Sequence, residues 1–470
     1  MGSSTDLPLA SGGKSPEAER RETVATTSAI TVQEAVDRIG FGRFQKRLLG
    51  VCGVTWAADG AEVLLLGFAL PSIIGEFGIT TAQAGLVATA TFAGMLVGAW
   101  FWGTISDYIG RRVGFQVTVL TFAIFGLLSA FAPSWEWLAL LRFVTGFGLG
   151  GALPLDFSLY AEFLPTRNRG RNLVILESFW AAGTIIAAGL AWLLVPSFGW
   201  RPLLATSALA AVLVLWIRRS IPESPRYLAI SGKNEEAREI LAGIARENGQ
   251  PAPEGELVAD ERQEGNPVSK LWKPGLRQST LMLWIAWFCI SLAYYGIFTW
   301  LPQAFVAQGF SSLQTYQNTF LLALAQVPGF FSAAYLIERL GRRNTLGIYL
   351  IASGVFTFLF AIVTGFGGLL ASAMLMSFFA LGAWGSLYAW TPELYPTEIR
   401  TTGMGWASGM ARVAGIITPT LGGILFGYAL VSALSAWAAA FVIGGIVVFL
   451  LGVETNRQGL SDTVSAPERA

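Results

Sequence analysis

The sequence predicts an all-α membrane protein of twelve transmembrane helices in two pseudo-symmetric six-helix bundles. Three observations carry this reading. Of 470 residues, 53% are hydrophobic and only 13% charged, about half the charged share of a soluble protein. Apolar stretches long enough to cross a hydrocarbon core of about 30 Å recur along the chain. Short motifs then reappear in the second half at one fixed distance, as a duplication requires.

The apolar spans fall near 48–74, 81–105, 113–132, 135–163, 173–196, 202–217, 279–305, 313–337, 345–364, 368–392, 402–426 and 432–452. Basic residues cluster at alternate junctions: Arg43, Lys46 and Arg47, then Arg111 and Arg112, Arg167, Arg169 and Arg171, Arg218 and Arg219, Arg339, Arg342 and Arg343, and Arg400. Only Glu76, Glu136 and Arg201 mark the other side. Because cytoplasmic loops carry the Lys and Arg excess, both termini are expected in the cytoplasm. Residues 1–45 read as a tail and interfacial helix, the helix running from Thr31 to Arg47. They lack the parts of a cleaved signal peptide, so the first span would act as an uncleaved anchor. Residues 46–217 then form the first bundle, 218–278 a polar linker with an amphipathic run from Asn234 to Arg246, 279–453 the second bundle, and 454–470 a cytoplasmic tail.

Composition also excludes functions. A net charge of +1 gives no footing for nucleic acid. Cys52 and Cys289 lie in apolar runs, with no disulfide framework and no CxxC metal site. Histidine is absent, so proton chemistry falls to carboxylates. With no nucleophile–base pair, metal cluster or cofactor motif, no catalytic residue is expected. Gly146-Phe-Gly148-Leu-Gly150-Gly151 matches the dinucleotide pattern GxGxxG, but that fingerprint needs a preceding strand and a soluble βαβ unit. Inside a span, small residues instead let helices approach closely. There is no Walker lysine either, so the energy source would be a gradient.

The repeat is the sharper signal. Gly103-Thr-Ile-Ser-Asp107-Tyr-Ile-Gly110-Arg111-Arg112 returns as Ala334-Tyr-Leu-Ile-Glu338-Arg-Leu-Gly341-Arg342-Arg343, an offset of 231 residues. Glu162-Phe-Leu-Pro165-Thr166-Arg-Asn-Arg169 returns as Glu393-Leu-Tyr-Pro396-Thr397-Glu-Ile-Arg400, and Leu70-Pro71 as Leu301-Pro302, both at the same offset of 231. Gly110 and Gly341 permit tight turns, and the acids and arginines around them can make charge-assisted bonds. Asp107, Arg111, Arg112, Glu162, Arg169, Glu338, Arg342, Arg343, Glu393 and Arg400 are therefore expected to form a cytoplasmic gate. A lone arginine among them would satisfy the positive-inside rule alone; the doubled acid–Gly–Arg–Arg pattern favours the gate.

With Pro222-Glu223-Ser224-Pro225-Arg226, these motifs resemble the sugar-porter-like branch of the major facilitator superfamily over residues 40 to 455. Leu176-Glu177-Ser178-Phe179-Trp180, Trp287-Phe288-Cys289, Tyr294-Tyr295-Gly296 and Leu381-Gly382-Ala383-Trp384-Gly385 are similar to the bacterial nicotinate permeases. Ala58-Asp59-Gly60-Ala61-Glu62-Val63 and Gly67-Phe68-Ala69-Leu70-Pro71 resemble the synaptic-vesicle glycoprotein transporters. Those animal relatives carry a large glycosylated loop after span seven. Here that connection is only Ala307 to Ser312 and no Asn-x-Ser/Thr sequon occurs, which favours a bacterial small-molecule permease in the inner membrane.

Ionisable groups at membrane depth are functional by default. Asp59 falls roughly 16 Å into span one and Arg142 about 10 Å from the outer end of span four, at 1.5 Å per residue; Glu62 shares a face with Asp59. The resemblance implies an acid–arginine pair, Asp59 or Glu62 with Arg142. It would act as a proton switch or as a static ion pair. Asp156 and Glu177 sit nearer the cytoplasmic ends, where gating, packing and substrate contact all remain open. Arg412 lies roughly 15 Å along span eleven among Gly, Ala, Val and Ile. Its partner would be a substrate carboxylate, which guanidinium geometry suits, or local hydrogen bonds.

Most aromatics should face lipid or the interface, including Trp100, Trp102, Trp135, Trp137 and Trp272. Trp180, Tyr294, Tyr295, Trp384 and Tyr388 stand apart, because the matching positions in the synaptic-vesicle relatives line the ligand cavity; Gln326 could add a hydrogen bond. With Arg412 they would bind a flat aromatic acid. The sequence thus implies a monomeric secondary transporter of nicotinate or a similar aromatic carboxylate, coupled to protons and working by alternating access. Another organic anion, an organic cation or a sugar derivative stays open as cargo, as does a non-transporting ligand sensor.

Overall fold

The computed structural model describes residues 29–258, 267–396 and 399–455, except the side chains of Asp107, residues 152–154, Asn168, Arg218 and Thr401. The tail over residues 1–28 and most of the C-terminal tail lie outside these residues. Among the described residues twelve helices are long and apolar enough to cross a membrane: Arg43–Phe77, Thr81–Ser106, Arg111–Ser129, Trp135–Glu162, Arg171–Phe198, Trp200–Ile217, Arg277–Ala307, Ser312–Leu340, Arg342–Ile362, Phe366–Leu394, Thr402–Tyr428 and Leu430–Leu451. They are called spans one to twelve below.

Packing repeats between the halves. Span one packs on five, two on four, and three on four and six; span seven packs on eleven, eight on ten, and nine on ten and twelve. The halves meet through spans one and seven, two and eleven, and five and eight, the last two being equivalent under the same approximate twofold. Spans one and seven are central: 72% of the apolar window of each is buried, against 33% for span six. Lipid-facing side chains such as Trp100, Leu193 and Leu450 cover the outside.

Local chemistry sets the breaks between spans. Thr80 caps span two and Ser311 caps span eight, each reciprocated by a glutamine, Gln83 and Gln314. Each capping box satisfies orphan N–H groups at a helix start. At the other end of these spans Gly110 (φ 97°) and Gly341 (φ 88°) take the positive φ that a side chain resists. Both are the expected turn glycines.

Three expectations need correction. The N-terminal interfacial helix does not reach Arg47. A helix spans Val32–Ile39, the chain breaks at Gly40, and Arg43 to Arg47 already belong to span one. The region is also not purely helical. Ala29–Thr31 pairs in parallel with Glu256–Val258, which pins the linker to the chain's start. Asn248 in the linker helix Asn234–Asn248 reinforces this by accepting from the Phe44 amide at 3.0 Å. Finally, Trp102 does not face lipid. It is 6% exposed and its Nε1 donates to the Phe147 carbonyl at 3.0 Å. An indole at membrane depth lowers its energy by finding an acceptor, and span four offered one.

The Gly146–Gly151 run explains that close approach. A Cβ on Gly146 would overlap the Thr91 carbonyl, and one on Gly150 the Met95 carbonyl, so spans two and four touch backbone to backbone. The pattern is a helix-crossing device. Gly146→Ala is therefore expected to lower stability by about 1–3 kcal/mol through overpacking. Gly103→Ala, with nothing within 4 Å of the added carbon, should stay near neutral. Thermal unfolding in detergent compares the two.

Candidate functional site

Midway along the spans a cavity lies between the halves. Its wall on the first half is Trp56 and Asp59 from span one, Met95 from span two, and Glu177 and Trp180 from span five. On the second half it is Trp287, Tyr294 and Tyr295 from span seven, Leu381, Trp384 and Tyr388 from span ten, and Ser408, Ala411 and Arg412 from span eleven. Helical spacing puts these side chains inward together: Glu177 and Trp180 are one turn apart, as are Trp384 and Tyr388.

The aromatic residues form two facing groups. Trp56 and Trp180 have centroids 5.5 Å apart on one side. On the other, Trp384 lies 5.9 Å from Tyr388 and 5.5 Å from Trp287, with Tyr294 and Tyr295 at 5.9 and 6.3 Å. One hydrogen bond ties the groups, Trp180 Nε1 donating to the Tyr294 hydroxyl at 3.2 Å. Gln326, expected among them, does not line the cavity; it is fully buried beside Tyr294. Trp56, Met95, Trp287 and Ser408 were not singled out from the sequence as cavity residues.

Two arginines lie deep in the membrane. Arg142 donates from Nη1 to Glu62 Oε1 at 2.9 Å, from Nε to Ser129 at 3.0 Å and from Nη2 to the Gly126 carbonyl at 3.3 Å. Ser207, in the 3₁₀ turn within span six, donates to the other Glu62 oxygen at 2.5 Å. Of the two acids left open by the sequence, Glu62 is thus the ion-pair partner. Asp59 instead faces the cavity, 2% exposed, and its Oδ1 has no hydrogen-bond partner. Arg412 reaches the cavity from span eleven without a hydrogen bond or ion pair to any described residue, although Asp59 and Glu177 act on it electrostatically.

The charge clusters sit at the basic end and repeat at the offset seen in the sequence. Arg111 Nε lies 3.7 Å from Glu162 Oε1, and Arg342 Nε 3.0 Å from Glu393 Oε2. Glu338 joins Arg342 at 3.1 Å; the Asp107 side chain lies outside those described. Two more carboxylates complete each cluster. Glu223 accepts from the Arg111 and Arg112 amides at 2.9 and 3.1 Å, and Glu454 from the Arg342 and Arg343 amides at 2.8 and 3.1 Å. An anion at a helix start meets the free N–H groups and the positive end of the dipole. Glu454 escaped the sequence reading, although it follows Glu223 by the same 231 residues. Arg169 donates to Gln33 and to the Leu164 carbonyl, and Arg400 to the Pro392 carbonyl at 2.9 Å, so both secure loops.

Between described residues, every hydrogen bond that joins the halves lies at the cavity or toward the end away from these clusters. Thr81 donates to the Gly423 carbonyl at 2.7 Å, Thr89 to Ile416 at 3.0 Å, and Tyr316 to Phe68 at 2.8 Å. Gly67 lies against the Thr299 backbone with no room for a side chain. Among the described residues the halves are thus joined at the cavity and at that end.

Comparison with known proteins agrees with this geometry. The family described as sugar (and other) transporter matches residues 21–464. The chain is 38% identical to a niacin transporter of Acinetobacter baylyi, over 82% of this chain and 88% of that protein. It is 33% identical to a synaptic vesicle 2-related protein of Xenopus laevis, over 93% of this chain and 83% of that one. The inward open conformation of the E. coli xylose transporter superposes with a TM-score of 0.70 at 15% identity, covering 88% of this chain and 98% of that one.

Removing Glu62 would strand a buried guanidinium. Glu62→Ala is expected to cost about 3–5 kcal/mol, and a joint apolar replacement of Glu62 and Arg142 much less. Melting temperatures of the purified variants give the order.

Proposed function

This chain belongs to the sugar (and other) transporter family, a member of the major facilitator group with its twelve spans, and we propose that it carries nicotinate, or a closely similar aromatic carboxylate, together with a proton. The observation that supports this most is Arg412, a guanidinium facing an aromatic cavity with no protein anion in bonding contact. A carboxylate there gains charge-assisted, bidentate bonds, and a flat ring beside it can pack between Trp180 and Trp384. The niacin transporter at 38% identity supports the choice of cargo.

Coupling falls to Asp59. It is a buried carboxyl on the cavity wall with one oxygen unpartnered, so it can take up and release a proton as the cavity opens to one side and then the other. The Glu62–Arg142 pair behind it stays fully bonded in this state. The basic end faces the cytoplasm of a bacterial cell, with the protein acting as a monomer in the inner membrane. Opposed rocking of the halves about the cavity then moves the substrate. When the far end opens, the basic-end clusters close as a gate. The two wall carboxylates favour a second cargo, an organic cation, in which case Arg412 would be dispensable.

Purified protein in liposomes with labelled nicotinate and an imposed pH gradient tests the reading. Uptake should saturate and should rise when the gradient is applied. Arg412→Ala should lower it roughly tenfold or more, the worth of hydrogen bonds to a charged group. Uptake unchanged by Arg412→Ala would turn the assignment toward a cation, and uptake indifferent to the gradient would remove the coupled proton.

A further inference from the structure

Glu177 is the second carboxylate of the cavity wall, beside Asp59. It stands one turn before Trp180 on span five, 8% exposed, on the same cavity wall that faces Arg412. Its Oε2 is buried without a hydrogen-bond partner, while the Trp56 indole approaches the carboxyl from span one. The other charged or titratable groups around the cavity beside it are Asp59 from span one, Tyr294 and Tyr295 from span seven, Tyr388 from span ten and Arg412 from span eleven. A buried carboxyl oxygen without a partner is destabilising, and a ligand that supplies one recovers that free energy. Besides the Asp59 carboxyl, to which coupling is assigned, the cavity holds two unmatched poles, the Arg412 cation on the second half and the Glu177 carboxyl on the first. A benzoate-like acid satisfies only one of them.

We propose that Glu177 recognises the ring nitrogen of a pyridine carboxylate. With the acid group on Arg412, one proton is shared between Glu177 Oε2 and the ring nitrogen. This deepens the reading above and rests on it. Only a proton changes place, and no bond between heavy atoms is made or broken. Whether the proton resides on oxygen or nitrogen, the contact contains one, drawn from solvent. The substrate then bridges the two halves, with its acid group on span eleven and its ring nitrogen on span five. Selectivity for a heteroaromatic ring over a plain one follows, because a site built to bond a polar atom leaves its own group stranded when an analogue lacks that atom.

The test is competition in liposomes holding the full-length protein, with labelled nicotinate uptake inhibited by unlabelled nicotinate or by benzoate, the same acid without the nitrogen. Benzoate should need roughly a tenfold or greater concentration for half-inhibition. Glu177→Leu should bring the two within about threefold, while Glu177→Gln, which keeps a donor and an acceptor, should retain a preference for the pyridine ring. A residue that served only packing would lower uptake without changing this ratio. Equal potency of the two acids on the unaltered protein overturns the proposal, and needs no variant to fold. A full preference in folded Glu177→Leu protein overturns it too. Inhibition by neither acid, with no nicotinate uptake at all, brings down the proposed function itself and this inference with it.

Discussion

Two arginines of equal charge lie inside the hydrocarbon layer, and the protein treats them in opposite ways. Arg142 is enclosed by Glu62, Ser129 and the Gly126 carbonyl, and Ser207 holds the far oxygen of its carboxylate. Bringing a charge to that depth is costly unless it is fully bonded, and three spans besides its own converge to bond it. Arg412 faces a cavity and has no bonded anion. The first arginine fixes how spans one, three, four and six fit together. The second stands at the junction of the halves, where the proposed carboxylate would meet it.

The charge clusters at the basic end follow the same logic in wetter surroundings. Each turn glycine brings two helix-start amides into the open, and a carboxylate from the end of that half's last helix, Glu223 or Glu454, covers them. Spans three and nine are thereby tied to the chain segments that leave their bundles. Thr455 extends the second cluster by donating to Glu393 at 2.6 Å. Among the described residues Arg111 lies against Glu162 and Arg342 against Glu393, each within its own half.

Much of this architecture was legible because membrane helices leave coarse marks: apolar length, basic junctions and duplicated turn chemistry. Asp59, Tyr294, Tyr295, Trp384 and Arg412 were legible as cavity residues because charge or a resemblance singled them out. Trp56, Met95, Trp287 and Ser408 were not. Spans one and seven are buried nearly all round, so no polar face betrays which side meets the cavity. Choosing between Asp59 and Glu62 as the partner of Arg142 also needed three dimensions, since residues three apart diverge by about 60° around a helix of 3.6 residues per turn. Glu454 could have been found. Its spacing from Glu223 was in plain view, but Val453-Glu454-Thr455 lacks the prolines that drew attention to the earlier copy.

The two ends of the molecule are built from different materials. Thr81, Thr89 and Tyr316 close one end with hydroxyl donors to backbone carbonyls, contacts that mobile ions barely weaken. The other end is populated by guanidinium and carboxylate groups, which ions screen over about 10 Å at moderate ionic strength. In the proposed gate, electrolyte on the arginine-rich side would therefore alter how readily that mouth shuts, while electrolyte on the opposite side would leave its seal almost untouched. A shift in ionic composition would be sensed across only one face of the membrane, so the chain has a polarity of response that its near-symmetric halves conceal.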